Sequence, residues 1–64
     1  MKDFTYRKLQ DANGIVYRIL ERVNRDPWMV ALGTFDYSSV EDAKRTVSEL
    51  ARTRKGFIIE DAHE

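Results

Sequence analysis

Cysteine is missing from this chain altogether, histidine and proline occur once each, and glycine occurs three times. Without cysteine there is neither a disulfide framework nor a thiolate metal site. That fits a reducing compartment, so a cytoplasmic location is expected. Long apolar runs are missing too: the longest, Trp28 to Leu32, covers five residues. A membrane-spanning helix needs about 20, and Met1-Lys2-Asp3-Phe4 does not begin a signal peptide, so no membrane partner is expected. Charge of one sign is also absent, because 11 basic residues balance 11 acidic ones and the sequence pI is about 6.6. Dedicated nucleic-acid domains usually run above a pI of about 9. This balance lowers the expectation of a nucleic-acid partner without removing it.

Reactive chemistry is equally sparse. His63 lies in the terminal Glu60-Asp61-Ala62-His63-Glu64, expected to be a flexible acidic tail. Asp61, His63 and Glu64 would be candidate metal ligands there, yet nothing around them supplies an orienting second layer. Ser38 and Ser39 have the position of helix caps and no partnered base. Glu41, Asp42 and Glu49 interleave with Lys44, Arg45 and Arg52, as on a solvated helix face. Gly14, Gly33 and Gly56 suit a turn, a bulge and a helix stop, which leaves no phosphate-cradling loop. The chain is therefore expected to be no enzyme and to hold no cofactor and no metal.

What is present is a compact pattern from end to end. The 64 residues form a single domain, 1–64, expected to be a complete small gene product. A domain of this size buries only about 60% of the surface its unfolded chain exposes. Its core can then supply at most a few kcal/mol of net stability, on the order of 3–5. Asn13-Gly14 is suited to a two-residue hairpin turn, with Phe4–Leu9 before it and Ile15–Leu20 after it reading as strands. A second break, Asn24-Arg25-Asp26-Pro27, precedes a third strand beginning at Trp28. Ser39 is a good N-cap, with Asp42 three residues on. Val40, Ala43, Val47, Leu50 and Ala51 form one helical stripe. Arg52, Arg54 and Lys55 crowd the last turn before Gly56. Phe57-Ile58-Ile59 reads as a short final strand. The expected class is α+β: a three-stranded antiparallel β-meander packed on one α-helix, with a short C-terminal strand, in the order β-β-β-α-β.

Register then sorts the faces. With Asn13 and Gly14 as the turn, Ala12 faces Ile15, Lys8 faces Ile19, Tyr6 faces Glu21 and Phe4 faces Val23. One face carries Phe4, Tyr6, Ile15, Tyr17, Ile19 and Val23. A four-residue second loop pairs Val23 with Trp28 and adds Trp28, Val30 and Leu32 to that heavier apolar face, where the helix should pack. A bulge at Gly33-Thr34 would turn Phe35 to the same core. The third strand depends on that loop length, since a slip of one residue exchanges its faces. The opposite face carries Thr5, Arg7, Leu9, Val16, Arg18, Leu20, Arg22, Met29 and Ala31, with Asp11 at its edge. A solvated sheet face is normally polar, and arginine beside apolar groups is a common interface composition. Arginine stems also cover apolar neighbours in isolated domains. The candidate partner-binding residues are Leu9, Leu20 and Met29 as apolar anchors and Arg7, Arg18 and Arg22 as orienting contacts.

The segment Leu32-Gly33-Thr34-Phe35-Asp36, continuing into Ser39-Val40-Glu41-Asp42-Ala43, resembles the strand-to-helix junction of plant ethylene-response-factor DNA-binding domains. Tyr37 and Ser38 are extra relative to that family. Those domains, like the arm-binding domains of tyrosine integrases, pack a three-stranded sheet on one helix. The resemblance implies that the sheet face turned away from the helix enters the DNA major groove, and Arg7, Arg18 and Arg22 match the family in occupying such a face. The family's arginine and tryptophan pattern on the first strands is missing.

The expected function is a non-enzymatic binding module: a small regulator, adaptor or inhibitor of phage or mobile-element type that docks its Arg/Leu sheet face on a protein. DNA binding through the same face is the alternative. Homo-oligomerisation through that face or an open strand edge is a second one.

Overall fold

The computed structural model describes residues 1–59; the expected acidic tail, 60–64, lies outside the described residues. In chain order the elements are β1 (Lys2–Asp11), β2 (Gly14–Val23), β3 (Met29–Val30), β4 (Asp36–Tyr37), α1 (Val40–Thr53) and β5 (Phe57–Ile58). They form a small α+β fold with one helix on a mixed five-stranded sheet, ordered β3-β2-β1-β5, with β4 also paired to β2. The β1-β2-β3 part is the expected antiparallel meander. Two features go beyond it: the third strand is split into β3 and β4, and β5 joins the far side of β1 in parallel. Since β4 and β5 both run parallel to β1, α1 acts as the crossover of a β-α-β unit spanning the hairpin. Parallel strands require a long connection of this kind.

The first hairpin is offset by two residues from the expected pairing. Asp11 faces Gly14 and Phe4 faces Glu21, so Ala12 and Asn13 form the turn. Asp11 Oδ1 accepts the Asn13 N–H at 2.8 Å, and within this turn only Gly14, at φ +122°, takes a positive φ. The carboxylate closes the turn one residue early, which leaves glycine to the first position of β2. An offset of two keeps every side chain on its face. Phe4, Tyr6, Tyr17 and Ile19 therefore point to the helix as expected. Phe4, Ile19, Ala31, Ala43 and Val47 make the buried core, with Tyr37 and Leu50 packed around it. Tyr6 and Tyr17 meet edge to face at 5.8 Å, a favoured aromatic geometry.

The second loop differs by one residue, and this exchanges the faces of the third strand. Val30 faces Leu20, Met29 faces Glu21, and the Ala31 N–H donates to Ile19 O at 3.0 Å. Asn24 adopts a left-handed φ of +57° while its N–H reaches Met1 O. The loop thereby runs from Asn24 to Trp28. Ala31, expected on the outer face, is buried in the core. Trp28 and Val30, expected in the core, belong to the outer face. Leu32 and Phe35, also assigned to the core, are exposed, and Tyr37 packs there instead. Ile15 and Val23 lie on the helix side but at strand ends, where they remain exposed.

The helix follows its sequence signals. Ser39 Oγ accepts the Asp42 N–H at 3.4 Å, and Glu41 and Asp42 fill the first turn, where negative charge suits the helix dipole. At the other end Lys55, not Gly56, takes the left-handed φ, +55°, and the Gly56 N–H closes on Ala51 O at 2.9 Å. This is a Schellman-type stop. Gly56 serves close approach instead: a Cβ there would lie 2.5 Å from Phe4 Cε2 and 2.6 Å from Lys2 O.

Candidate interaction surface

Five of the six expected partner-binding residues, Arg7, Leu9, Arg18, Leu20 and Arg22, share the sheet face away from α1. Met29 does not: facing Glu21, it lies on the helix side of edge strand β3, well exposed. Leu20 shares the face but is only 5% exposed, directly opposite Thr5 at 1%. A side chain so covered offers a partner little area. The cause lies in its neighbours. Arg18 and Arg22 flank Leu20 at the two adjacent positions of β2 on this face, and both are fixed by aspartates.

Arg18 makes a two-pronged contact to Asp36, with Nε to Oδ1 at 3.1 Å and Nη2 to Oδ2 at 3.0 Å. Arg22 Nε donates to Asp3 Oδ2 at 3.0 Å, and its guanidinium lies 4.4 Å from the centroid of the Trp28 ring. Stems held in this way cover apolar surface, which accounts for the burial of Leu20 and Thr5. The hydrogen bonds from Arg18 hold the Asp36 carboxyl below the usual carboxylate range, outweighing the opposing effect of burial. Three arginines on the face, Arg7, Arg18 and Arg22, are thus matched by Asp3, Asp36 and, at the hairpin end, Asp11. The face is close to neutral. Arg7 makes no ion pair among the described residues.

The exposed apolar surface sits at the border of this face, on the β3–β4 edge. Ala31 lies beside Ile19, and Asp36 lies opposite Arg18, the next residue of β2. Leu32-Gly33-Thr34-Phe35 therefore loops out of what is otherwise one edge strand. The base of this excursion is well fixed. Gly33 takes φ +78°, and Thr34 Oγ1 donates to Ala31 O at 2.6 Å. Arg54 Nη2 donates to Leu32 O at 3.1 Å, while Arg54 Nη1 reaches Glu21 Oε1 at 3.5 Å. Glu21, nearly buried, also takes Lys2 Nζ at 3.5 Å. From this clamped base Leu32 and Phe35 project with 75% and 74% of their surface exposed, beside Val30 at 51%.

Sequence reasoning placed Leu32 in the core by continued strand alternation and Phe35 there through a one-residue bulge at Gly33-Thr34. The available signal was Gly33-Thr34 itself. Read as a longer break in the strand, it releases both neighbours to the surface.

Comparison of the chain with protein-family models, with curated proteins and with solved structures finds no match. What the surface does is therefore argued from its geometry.

Proposed function

We propose that the chain is a non-enzymatic binding module of the cytoplasm, a small regulator, adaptor or inhibitor that docks a protein partner on the Leu32–Phe35 excursion and the adjoining sheet face. The observation that carries this reading is the display of two large apolar side chains on a loop whose base is hydrogen-bonded to the helix end and to its own backbone. Burying one such side chain is worth roughly 1.5–3 kcal/mol, so a partner that covers both gains substantially. A loop fixed before binding also loses little freedom when it docks. Leu32 and Phe35 act as the anchors, with Val30 beside them. Arg7 and Leu9 give orienting contacts further along the face, while Arg18, Arg22 and Leu20 form its packed floor.

DNA binding through the same face, which the junction's resemblance implies, is the weaker reading on physical grounds. Arg18 and Arg22 already pair with Asp36 and Asp3, so phosphate contacts would have to break those pairs. The test is affinity capture from the source cell, with the wild type run beside Leu32→Asp/Phe35→Asp. Proteins enriched by the wild type should be lost by the double variant, whose unfolding midpoint should be unchanged. An identical set on both, or an unfolded variant, refutes the assignment. A duplex mobility shift that weakens steeply with salt and is lost in Arg7→Glu would favour the DNA reading instead.

A further inference from the structure

Edge strand β3 has β2 on one side and no strand neighbour on the other among the described residues. Met29 and Val30 lie on its opposite faces and are 62% and 51% exposed, so the strand is uncovered from both. The C-terminal residues do not reach it. Ile59 is bonded to Phe4 on the far side of β1, four strand spacings, or about 19 Å, from the free side of β3. The five residues after Ile59 span at most about 18 Å fully extended, and a path around the domain is longer still.

Backbone groups alternate along a strand. The Ala31 N–H donates to Ile19 O at 3.0 Å and Val30 faces Leu20, so the N–H and C=O of Val30 point to the open side. The flanking outward positions are Trp28 and Leu32. Beyond them, Pro27 has no N–H to offer, and the excursion leaves the strand after Ala31. The free edge is therefore short, with Val30 at its centre.

Edges of this kind are usually guarded by charge, lysine above all. Here there is none: Pro27 to Phe35, nine residues, is the longest uncharged stretch of the chain. A second copy brings no opposing charge to it, and the chain as a whole carries 11 basic and 11 acidic residues. The segment is also apolar in both directions from Val30, with Trp28-Met29 before it and Ala31-Leu32 after it. In an antiparallel pair whose partner numbers sum to 60, Val30 meets itself, Met29 meets Ala31 and Trp28 meets Leu32. Trp28 is already held under the Arg22 guanidinium, 4.4 Å from its ring centroid. The adjacent two-fold registers that keep the outward groups in line are worse, since they set Leu32 against Asp26 or Trp28 against Thr34.

We infer that β3 pairs with β3 of a second copy, antiparallel about a two-fold axis at Val30, so that one sheet runs through both chains. A self-complementary contact of this kind closes as a dimer and does not propagate. The inference goes beyond the foreign partner proposed above: the second copy takes the strand, and the two Leu32–Phe35 excursions flank the axis as a pair. The contact is small for a specific interface, so a dissociation constant on the order of 100 μM is expected.

The test is equilibrium sedimentation of the purified full chain from about 10 μM to 1 mM. The mass should rise from the 7.5 kDa of one chain toward twice that value. Val30→Lys and Val30→Asp, each checked for folding by circular dichroism, should raise the dissociation constant at least about tenfold, because like charges then face each other across the axis. Mixing the two variants in equal amounts should restore the dimer, an outcome specific to a residue that meets itself. The chain has no cysteine of its own, so a short bifunctional thiol reagent should link Val30→Cys chains in pairs and leave Phe35→Cys chains unlinked. A monomer at 1 mM, a dimer that survives both charged variants, or a mixture no more associated than either variant alone overturns the inference. Unfolding of the charged variants, or equal linking at position 35, overturns it too, by contradicting the exposure or the register of Val30. The measurement uses the chain alone, so its failure and the failure to capture a foreign protein from the source cell are separate results.

Discussion

Replacing Gly56 with alanine would place a methyl group 2.5 Å from Phe4 Cε2, 2.9 Å from Phe4 Cδ2 and 2.6 Å from Lys2 O. Unstrained carbon contacts lie at about 3.5–4.0 Å, so something must retreat by about 1 Å. Neither neighbour moves freely. Phe4 is fully buried at the centre of the core, and Lys2 O belongs to the backbone of β1. The remaining route is to lift the α1–β5 connection, which strains the Gly56 N–H bond to Ala51 O and the short β1–β5 ladder. Overpacking of this kind costs roughly 1–3 kcal/mol. Against it, alanine restricts the unfolded chain by about 0.4–1 kcal/mol relative to glycine. Mid-range values leave a net loss of about 1.3 kcal/mol, at most about 2.6, which is a large share of the roughly 3–5 kcal/mol available to a domain this small. Urea unfolding followed by Trp28 fluorescence reads the effect directly. With a slope near 1 kcal/mol per molar for a small domain, the midpoint should fall by about 1.3 M and by no more than about 2.6 M. An unchanged or raised midpoint would mean that Gly56 is not a close-approach position, and the packing of β5 against β1 would need revision.

Lys55→Gly should have the opposite sign, because glycine accepts the φ of +55° that lysine adopts at a cost; a gain of about 0.5–1 kcal/mol in the same urea assay is expected. Leu20→Ala should lose about 2–5 kcal/mol as a buried truncation, whereas Leu32→Ala should stay within about 0.5 kcal/mol of wild type; equal effects at the two positions would contradict the register of the face. The Asp36 carboxyl titrates below its unfolded-state range because Arg18 hydrogen-bonds its charged form. Its contribution is therefore complete above the ordinary carboxylate pKa and is lost as pH falls through the depressed folded value. Asp36→Asn should flatten that part of the acid limb of a stability–pH profile, modestly since the pair is exposed; an acid limb identical to wild type would refute the linkage.

The parts of the fold written in local chemistry were legible in the sequence. Ser39, the Val40–Ala51 stripe and the basic last turn specify the helix through capping and periodicity, and the structure has the helix there. The alternation of Phe4, Tyr6, Tyr17 and Ile19 marks the helix-facing side of the hairpin, and a two-residue offset in the turn left that side intact. The third strand was harder to read, because its face depends on a single residue in the Asn24–Trp28 loop. That residue is accommodated by a left-handed Asn24 and a bond to Met1 O, contacts between segments distant in sequence. The candidate surface was half legible for the same reason. Arg7, Leu9, Arg18, Leu20 and Arg22 share a face as expected, but the ion pairs to Asp3 and Asp36 that cover Leu20 form across strands. Leu32 and Phe35 came to the surface through the four-residue excursion, which sequence alternation hides.

The most direct measurement of the proposed function places a photoreactive benzophenone analogue of phenylalanine at position 35 of the full chain. Its control carries the same group at Glu49, on the exposed face of α1. After irradiation in the source cell, adducts are separated and identified by mass. A discrete protein adduct from position 35, absent from position 49 and lost when Leu32→Asp is added, is the outcome the Leu32–Phe35 surface predicts. No adduct at position 35, or the same products from both positions, would contradict it.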